Sequence, residues 1–247
     1  MKKFIALFLS VCTAALLFTA CKTNKTPEED LNVYATTAKH TQNFIGTEPG
    51  ATAGNPGGTP ILIDNSWTSN YTLTYEFTEN GEMSTLTERR CAGMYSVTDA
   101  GSGITSYFIQ DGDNIDQYVL NPADNTGTHA VLNGQNLADV PTGFMKIAYV
   151  SPAFTTYANV EYQSADSVAD RPAQKYNQSA YNDAGLLTAY AFVWLDSAYG
   201  FASKCQVYNL TGNINTGWEL KSLTVGGVSA ESIGFSTDGY TITEAEG

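Results

Sequence analysis

The stretch LLTAYAFVWLDSAYGFASKCQVYNL, residues 186–210, decides the fold. Its first run places Tyr190, Phe192 and Trp194 on one side of an extended chain and smaller apolar residues on the other, so both sides are apolar. Residues 196–200 end in a glycine and supply a turn. In the returning run apolar residues alternate with polar ones, which is typical of a strand with one wet face. The stretch therefore predicts an antiparallel hairpin.

Strand signals continue along most of the chain. Tyr71, Leu73, Tyr75 and Phe77 alternate with threonines and a glutamate, which predicts a half-buried strand with one aromatic face. An Asn-Gly dipeptide at 80–81 is a strong signal for a two-residue hairpin. The further predicted strands are 83–90, 94–97, 104–110, 115–120, 158–164, 173–181, 218–225 and a short one near residue 240. We therefore predict a largely antiparallel sheet.

The first residues have the features of a secretory signal. Lys2 and Lys3 precede an apolar run, residues 4–20, that is too short to favour a membrane-spanning helix, and Cys21 follows directly. The residues before Cys21 resemble the bacterial lipobox. We expect residues 1–20 to be a lipoprotein signal peptide and Cys21 to carry acyl chains, which attach a protein stably to a membrane. The alternative is an ordinary signal peptide cut nearby, with no role for Cys21.

Two stretches have helical rather than strand character. Residues 21–30 are a tether, and residues 26–29 within it form a capping box, which marks the start of a helix. The segment 31–60 predicts an N-terminal helix followed by a loop rich in glycine and proline at 46–60. Residues 143–150 predict a short helix or an irregular cover in the middle of the chain. We assign residues 61–247 to one mainly-β domain.

The expected mature chain is strongly acidic. Without residues 1–20 it has 10 Lys and Arg against 25 Asp and Glu, a net charge of −15. Such a chain repels phosphate backbones, so nucleic acid is not an expected partner.

Two cysteines besides Cys21 would remain in an oxidising compartment. Cys91 and Cys205 form an even pair, which is compatible with a disulfide. Two separately buried thiols are the alternative, because free cysteine is often found in cores. The sequence leaves both interpretations open.

Catalytic signals are weak. His40 and His129 are the two histidines, and the chain contains no H-E-x-x-H, G-x-S-x-G or C-x-x-C motif. We interpret both histidines as solvated surface residues and expect no enzymatic activity and no cofactor.

An acidic turn suggests calcium at first sight. Asp111, Asp113 and Asp116 fall at alternating positions, but an EF-hand loop that began at Asp111 would have Ile115 and Pro122 where oxygen ligands are needed. A turn with solvated acids explains the same residues, so we predict no metal site.

The aromatic content, with 15 Tyr, 11 Phe and 3 Trp, allows three interpretations. Aromatic residues favour strands for structural reasons alone. An aromatic face of an open sheet under loosely packed helices would form an apolar pocket. Alternatively, exposed Trp67, Trp194 or Trp218 would stack on sugar rings and make the protein a surface-exposed glycan-binding or adhesive lipoprotein.

Two segments resemble a known family. Within residues 194–208, the order Trp-Leu-Asp, a turn ending in glycine, an apolar residue and a lysine that opens a tyrosine-bearing strand resembles the late hairpin of the LolA/LolB superfamily of lipoproteins and lipoprotein carriers. The segment YFIQDGDNIDQYVLNP, residues 107–122, is similar to a recurring segment of the same superfamily. The resemblance covers residues 71–235, whereas the loop at 46–60 departs from the family pattern.

This resemblance implies a mainly-β (α+β) fold: a single twisted antiparallel sheet that forms an unclosed half-barrel, with one or two helices on its concave face. A closed β-sandwich is the competing architecture. In the soluble carrier of the family, an arginine on an early strand helps to hold the lid helices shut, and Arg89 or Arg90 lies on a comparable strand.

The resemblance also implies a function. We expect the cavity to bind an acyl chain, a lipid or a lipoprotein without catalysis. The residues predicted to line it are Tyr71, Leu73, Tyr75, Phe77, Tyr190, Phe192 and Trp194. The expected place is the cell envelope, with the anchor in the outer membrane, or in the cell membrane of a single-membrane host. We expect a monomer.

Overall fold

Strands take up most of the chain that the structure describes. The computed structural model describes residues 52–53, 59, 61–62, 64–79, 81–138, 144, 158–181, 187–208 and 211–245. The strands are β1 (Thr52–Ala53), β2 (Ile61–Leu62), β3 (Tyr71–Glu79), β4 (Glu82–Cys91), β5 (Met94–Asp99), β6 (Thr105–Asp111), β7 (Asn114–Asn121), β8 (Thr126–Asn133), β9 (Ala158–Val168), β10 (Arg171–Tyr181), β11 (Leu187–Asp196), β12 (Ala202–Tyr208), β13 (Ile214–Val225) and β14 (Thr241–Glu244).

All strands except the β1–β2 pair belong to one twelve-stranded sheet. The order across it is β14-β8-β7-β6-β5-β4-β3-β13-β12-β11-β10-β9. Neighbours are antiparallel except for β14, which runs parallel to β8. Because the two edge strands are β14 and β9 and they do not pair with each other, the sheet is open. The predicted mainly-β, unclosed fold is confirmed, with one parallel edge strand that the sequence did not predict.

Strand register defines two faces of this sheet. Residues directly opposite each other on neighbouring strands point to the same side. One row across five strands consists of Phe77, Trp218, Cys205, Val193 and Tyr176. We call this side the inner face. The adjacent row, on what we call the outer face, consists of Glu76, Glu219, Lys204, Trp194 and Lys175.

The larger core cluster lies on the inner face. Tyr71, Leu73 and Tyr75 are buried there on β3, where the sequence alternates apolar and polar residues. A 3-10 helix at Ser66–Ser69 adds Trp67, whose ring lies 5.1 Å from that of Phe201. The inner face is therefore covered by residues that come from outside the strands.

The hairpin formed by β11 and β12 has the predicted turn. Asp196 Oδ1 accepts the backbone N–H groups of Ala198 and Tyr199, at 3.0 and 2.9 Å. Its carboxylate also binds Arg171 through two hydrogen bonds, at 2.6 and 3.1 Å. Gly200 closes the turn with φ of 75°, which a residue with a side chain rarely adopts. Local turn chemistry and the buried carboxylate together fix the hairpin.

A short helix, α1 (Ala230–Ile233), packs on the outer face. Ser229 and Ser232 form a capping box at its start, and Phe235, just after it, contacts the rings of Tyr107 and Tyr118. These two tyrosines face outward because they share a row with Ser96 and Arg89. The helix was not predicted. The helix predicted within 31–60 lies outside the described residues. In the described part of the chain, no helix has the length and hydropathy to cross a membrane.

Candidate functional site

An apolar wall occupies the inner face in the middle of the sheet. Tyr71, Leu73 and Tyr75 are buried and Phe77 is half-buried, so the first predicted set lies on this wall. The wall continues across β13, β12 and β11. Its members there are Trp218, Leu220, Cys205, Ala191, Val193 and Leu195.

The second predicted set lies on the opposite side of the sheet. Tyr190, Phe192 and Trp194 alternate with Ala191, Val193 and Leu195, which are fully buried on the inner face. The prediction that both aromatic sets line one interior is therefore wrong. The physical reason is space: inner-facing rings from other segments, such as those of Trp67 and Phe201, leave room at β11 for small and aliphatic side chains only.

The outward-facing rings are covered by charged side chains. Lys175 Nζ lies 4.4 Å from the centre of the Phe192 ring and 4.9 Å from that of Trp194. Trp194 Nε1 donates to Asp166 Oδ2 at 2.9 Å, and this hydrogen bond lowers the pKa of Asp166. The ring planes of Tyr190 and Phe192 are inclined at 82°. A face with inclined, lysine-capped rings is not a flat platform.

All three indoles are buried. Trp67, Trp194 and Trp218 expose 1, 6 and 7% of their surface. Trp218 Nε1 also donates to the carbonyl of Ala202 at 2.9 Å, so its polar atom is used inside the protein. The interpretation that these indoles are exposed surfaces for stacking on sugars is therefore wrong.

Glu88 is a fully buried acid in the middle of the inner face. Tyr71 Oη donates to its Oε2 at 3.0 Å, and Tyr75 Oη donates to its Oε1 at 3.2 Å. The hydroxyl of Tyr95 also bonds to it, and the backbone N–H of Phe144 donates to Oε1 at 2.6 Å. Burial raises the pKa of Glu88, although these hydrogen bonds act in the opposite direction. Four donors thus converge on one carboxylate.

Glu88 was not among the residues predicted from the sequence. The alternation along the strand could have indicated its burial, because Glu88 lies directly opposite Leu73 and points to the same side of the sheet as Leu86 and Arg90. A charged residue at a core position requires partners, and the three tyrosine hydroxyls come from β3 and β5.

Of the two predicted lid arginines, Arg90 is the one that faces inward. It lies opposite Tyr71 and its Nη2 donates to the carbonyl of Leu137. The backbone N–H of Leu137 in turn donates to Gln110 Oε1 at 2.6 Å. The buried Leu137 side chain belongs to a smaller core cluster with Tyr95, Val97 and Ile115. Arg89 lies on the outer face. The choice of Arg89 as an inner contact is therefore wrong.

Phe144 fills the space in front of this carboxylate. It is fully buried and helical, and its ring lies 5.0 Å from that of Tyr75 and 5.7 Å from that of Phe201. Phe144 belongs to the predicted cover at 143–150, whose other residues lie outside the described part. A residue from outside the sheet therefore occupies the apolar wall.

A small pocket lies beside the glycine of β13. Its volume is about 60 Å³, and its lining includes Gly217, Trp218 and Glu219. This space has room for a few water molecules at most and is far below the size of a pocket for a drug-sized ligand, which is about 300 Å³ or more.

The two cysteines are free and buried. Cys91 lies on the outer side of β4 and Cys205 on the inner side of β12, with β3 and β13 between their strands. Two Cys must come within about 7 Å to be bridged, whereas three strand spacings amount to about 14 Å. The disulfide interpretation is therefore wrong. Burial raises the pKa of Cys205, which disfavours the reactive thiolate form.

His129 is a half-buried residue with two acidic partners. It bonds to Asp116 Oδ1 at 3.2 Å and to Glu244 Oε2 at 2.9 Å. Asp111 and Asp113 are exposed in their turn. Within the described residues, no group of three His, Cys, Asp or Glu side chains is placed to hold a metal ion. His40 and Cys21 lie outside them.

Comparisons with known proteins concern the fold. No family model and no curated protein matches this chain. Among solved structures, it is similar to MucB, which has also been solved with MucA from Pseudomonas aeruginosa, with 16% identity over 68% of this chain and a TM-score of 0.37. The match covers 57% of MucB, so the chain spans little more than half of that protein.

Two further similar structures have lipoprotein in their names. An outer membrane lipoprotein-sorting protein domain from Vibrio parahaemolyticus is 14% identical over 69% of this chain and 91% of that domain, with a TM-score of 0.27. The lipoprotein LppX from Mycobacterium tuberculosis is 11% identical over 62% of this chain and 84% of its own, with a TM-score of 0.34. At these scores, none of these structures identifies a ligand or a binding site in this chain.

Proposed function

We propose that this protein is a lipid-anchored, non-catalytic protein of the cell envelope that binds an apolar ligand on the inner face of its open sheet. Cys21 would hold the anchor. The ligand would lie on the wall formed by Tyr71, Leu73, Tyr75 and Phe77 and its continuation across β13, β12 and β11.

One observation carries this proposal. The apolar wall is covered at its centre by Phe144, a residue that does not belong to the sheet. In a closed sandwich a second sheet would fill the same space permanently. The Phe144 ring, whose backbone N–H donates to Glu88, is the part of this cover that a ligand would replace.

The size of the ligand follows from what it must replace. Withdrawing a buried Phe costs about 1.5–3 kcal/mol. Losing a hydrogen bond to a charged group costs about 1.5–3 kcal/mol more. Each buried CH₂ returns about 0.8 kcal/mol, so roughly four to eight methylenes are needed to break even. The proposed ligand is therefore a long acyl or alkyl chain.

A photoreactive alkyl probe tests the site. The Cys21→Ala protein, purified without detergent, would be irradiated with a diazirine-bearing 1-dodecanol and its labelled peptides sequenced. We expect labelling on inner-face residues of β3 and β13, competed by 1-dodecanol and not by 1-butanol. Labelling confined to the outer face, or absent, would refute the proposal.

Two ring deletions provide the matched comparison. Phe144→Ala removes the cover and should increase inner-face labelling. Phe192→Ala removes a ring from the outer face of β11 and should leave the labelling unchanged. Native mass spectrometry of the same protein directly after purification would identify any co-purifying lipid.

A further inference from the structure

Phe144 occupies the space between the apolar wall and Glu88, which we call the inner site, in the way that a ligand would. Its ring contacts Tyr75 and Phe201, and the N–H next to that ring donates to Glu88 Oε1 at 2.6 Å. Phe144 therefore presents an apolar ring joined to a hydrogen-bond donor. The ring packs against the aromatic wall, and the N–H donates a hydrogen bond to the buried acid.

Glu88 determines what can take the place of Phe144. Its Oε1 accepts from both Tyr75 Oη and the Phe144 N–H, and the latter is the shorter bond, since the Tyr75 distance is 3.2 Å. When Phe144 withdraws, this fully buried oxygen loses its closer donor. A buried carboxylate that loses one of its four donors is less fully hydrogen-bonded, which costs free energy, so a ligand that brings a donor should bind better than one that does not.

The neighbouring cation is Arg90, two residues along β4 on the same face, and its Nη2 donates to the Leu137 carbonyl. A carboxylate or phosphate headgroup offers only acceptors when ionised and would face another acceptor at Glu88.

We propose that Glu88 is the specificity-determining residue of the inner site and that the site takes an amphiphile whose long chain is joined to a hydrogen-bond donor, a hydroxyl or an amide N–H. Chains that end in an acceptor alone bind less well. This inference rests on the proposed function, because it concerns the headgroup of the same ligand.

Four twelve-carbon compounds test the headgroup in the wild-type binding site. 1-Dodecanol and dodecanamide carry donors, methyl dodecanoate is neutral without a donor, and dodecanoate is anionic without a donor. Each would compete with the diazirine probe below its solubility limit in water, and dodecanoate also below its critical micelle concentration. At a pH above the folded-state pKa of Glu88, where the carboxylate is charged, we expect the two donor compounds to compete at least about tenfold better than the other two, which is the effect of one hydrogen bond to a charged group.

The variant Glu88→Gln supplies a second readout. Its amide both donates and accepts, so the preference for donor compounds should fall to less than about threefold. Glu76→Gln, on the outer face of β3, is the matched control and should keep the wild-type preference. The wild-type comparison stands by itself if Glu88→Gln does not fold.

The outcomes separate the two proposals. Equal competition by all four compounds, a preference for dodecanoate, or a preference that folded Glu88→Gln retains would overturn the role of Glu88 and leave the apolar site intact. Failure of every dodecyl compound to bind would overturn both.

Discussion

Glu88 Oε1 accepts the backbone N–H of Phe144 at 2.6 Å and so joins the inner face of β4 to a residue 56 positions later. The acid reaches this position from a strand whose neighbours Leu86 and Arg90 also point inward. The bond joins a segment outside the sheet to its most buried polar group.

The contribution of Glu88 to the free energy of unfolding should decrease as the pH rises. Burial raises its folded-state pKa above the ordinary value of 4.5, so the folded state holds the proton more tightly than the unfolded state. This contribution is complete below that value and is lost as the pH rises through the folded-state pKa. Urea unfolding of the wild type and Glu88→Gln between pH 4 and 8 measures it. The wild-type advantage should shrink as pH rises, whereas Glu82→Gln, at an exposed position of β4, should show no such trend.

His129 should titrate above its ordinary pKa of 6.5. Burial acts to lower this pKa, but the hydrogen bonds to Asp116 and Glu244 outweigh burial and raise it. The stabilisation by charged His129 is present below 6.5 and is lost as pH rises through the folded-state pKa. An NMR titration, assigned with a His40→Asn variant, gives the value directly. Glu244→Gln should lower it, and a wild-type value at or below 6.5 would contradict the prediction.

Asp196→Ala should destabilise the protein strongly. The change leaves the partly buried Arg171 guanidinium and two turn N–H groups without their acceptor, and breaking a buried ion pair costs about 3 kcal/mol or more. Asp196→Asn keeps an oxygen that can accept the two turn N–H groups, so it should lower the free energy of unfolding by less than Asp196→Ala does. The free energy of unfolding in urea ranks the variants, and equal losses would show that the turn bonds contribute nothing.

Gly217→Ala should destabilise the sheet by about 1–3 kcal/mol, as overpacking of a core does. An added Cβ would lie 2.6 Å from the carbonyl oxygen of Cys205, a backbone atom that cannot turn away. Ser222→Ala, at an exposed position of the same strand, is the control. The midpoints of thermal unfolding compare the two, and a Gly217→Ala midpoint equal to that of the control would refute the close approach.

Cys21 should carry the acyl chains. Cells grown with a radiolabelled fatty acid should label the wild type, and Cys21→Ala should abolish the label because the acceptor thiol is gone. Label that persists in the variant would exclude this residue as the anchor.

Local patterns in the sequence predicted the strands well. The hairpin of β11 and β12 depends on alternation and on a turn that ends in Gly200, and both features are encoded within a few residues. By contrast, β8 was not predicted as a strand. Its sequence TGTHAVLN is largely polar, and its pairing with β14 is decided by a distant segment.

The site was harder to predict than the fold. Both sides of β11 are apolar, so its sequence does not determine which side faces inward, and the answer depends on rings such as Phe201 and Trp67. For Glu88, the sequence shows an acid in a strand, but its burial depends on tyrosines of β3 and β5 that only the folded sheet brings together.

The pairing of β3 with β13 governs the order in which the chain folds. The strands from β3 to β8 form one series of sequential hairpins, and those from β9 to β13 form another. These series meet where Tyr71 pairs with Val225 and where the Asn70 side chain bonds to both backbone groups of Val228. Sequential hairpins close quickly because their loops are short, whereas this junction must wait for a long loop to close. The two series of hairpins should therefore form first, and the pairing of β3 with β13 should form last, after nearly the whole chain has been synthesised.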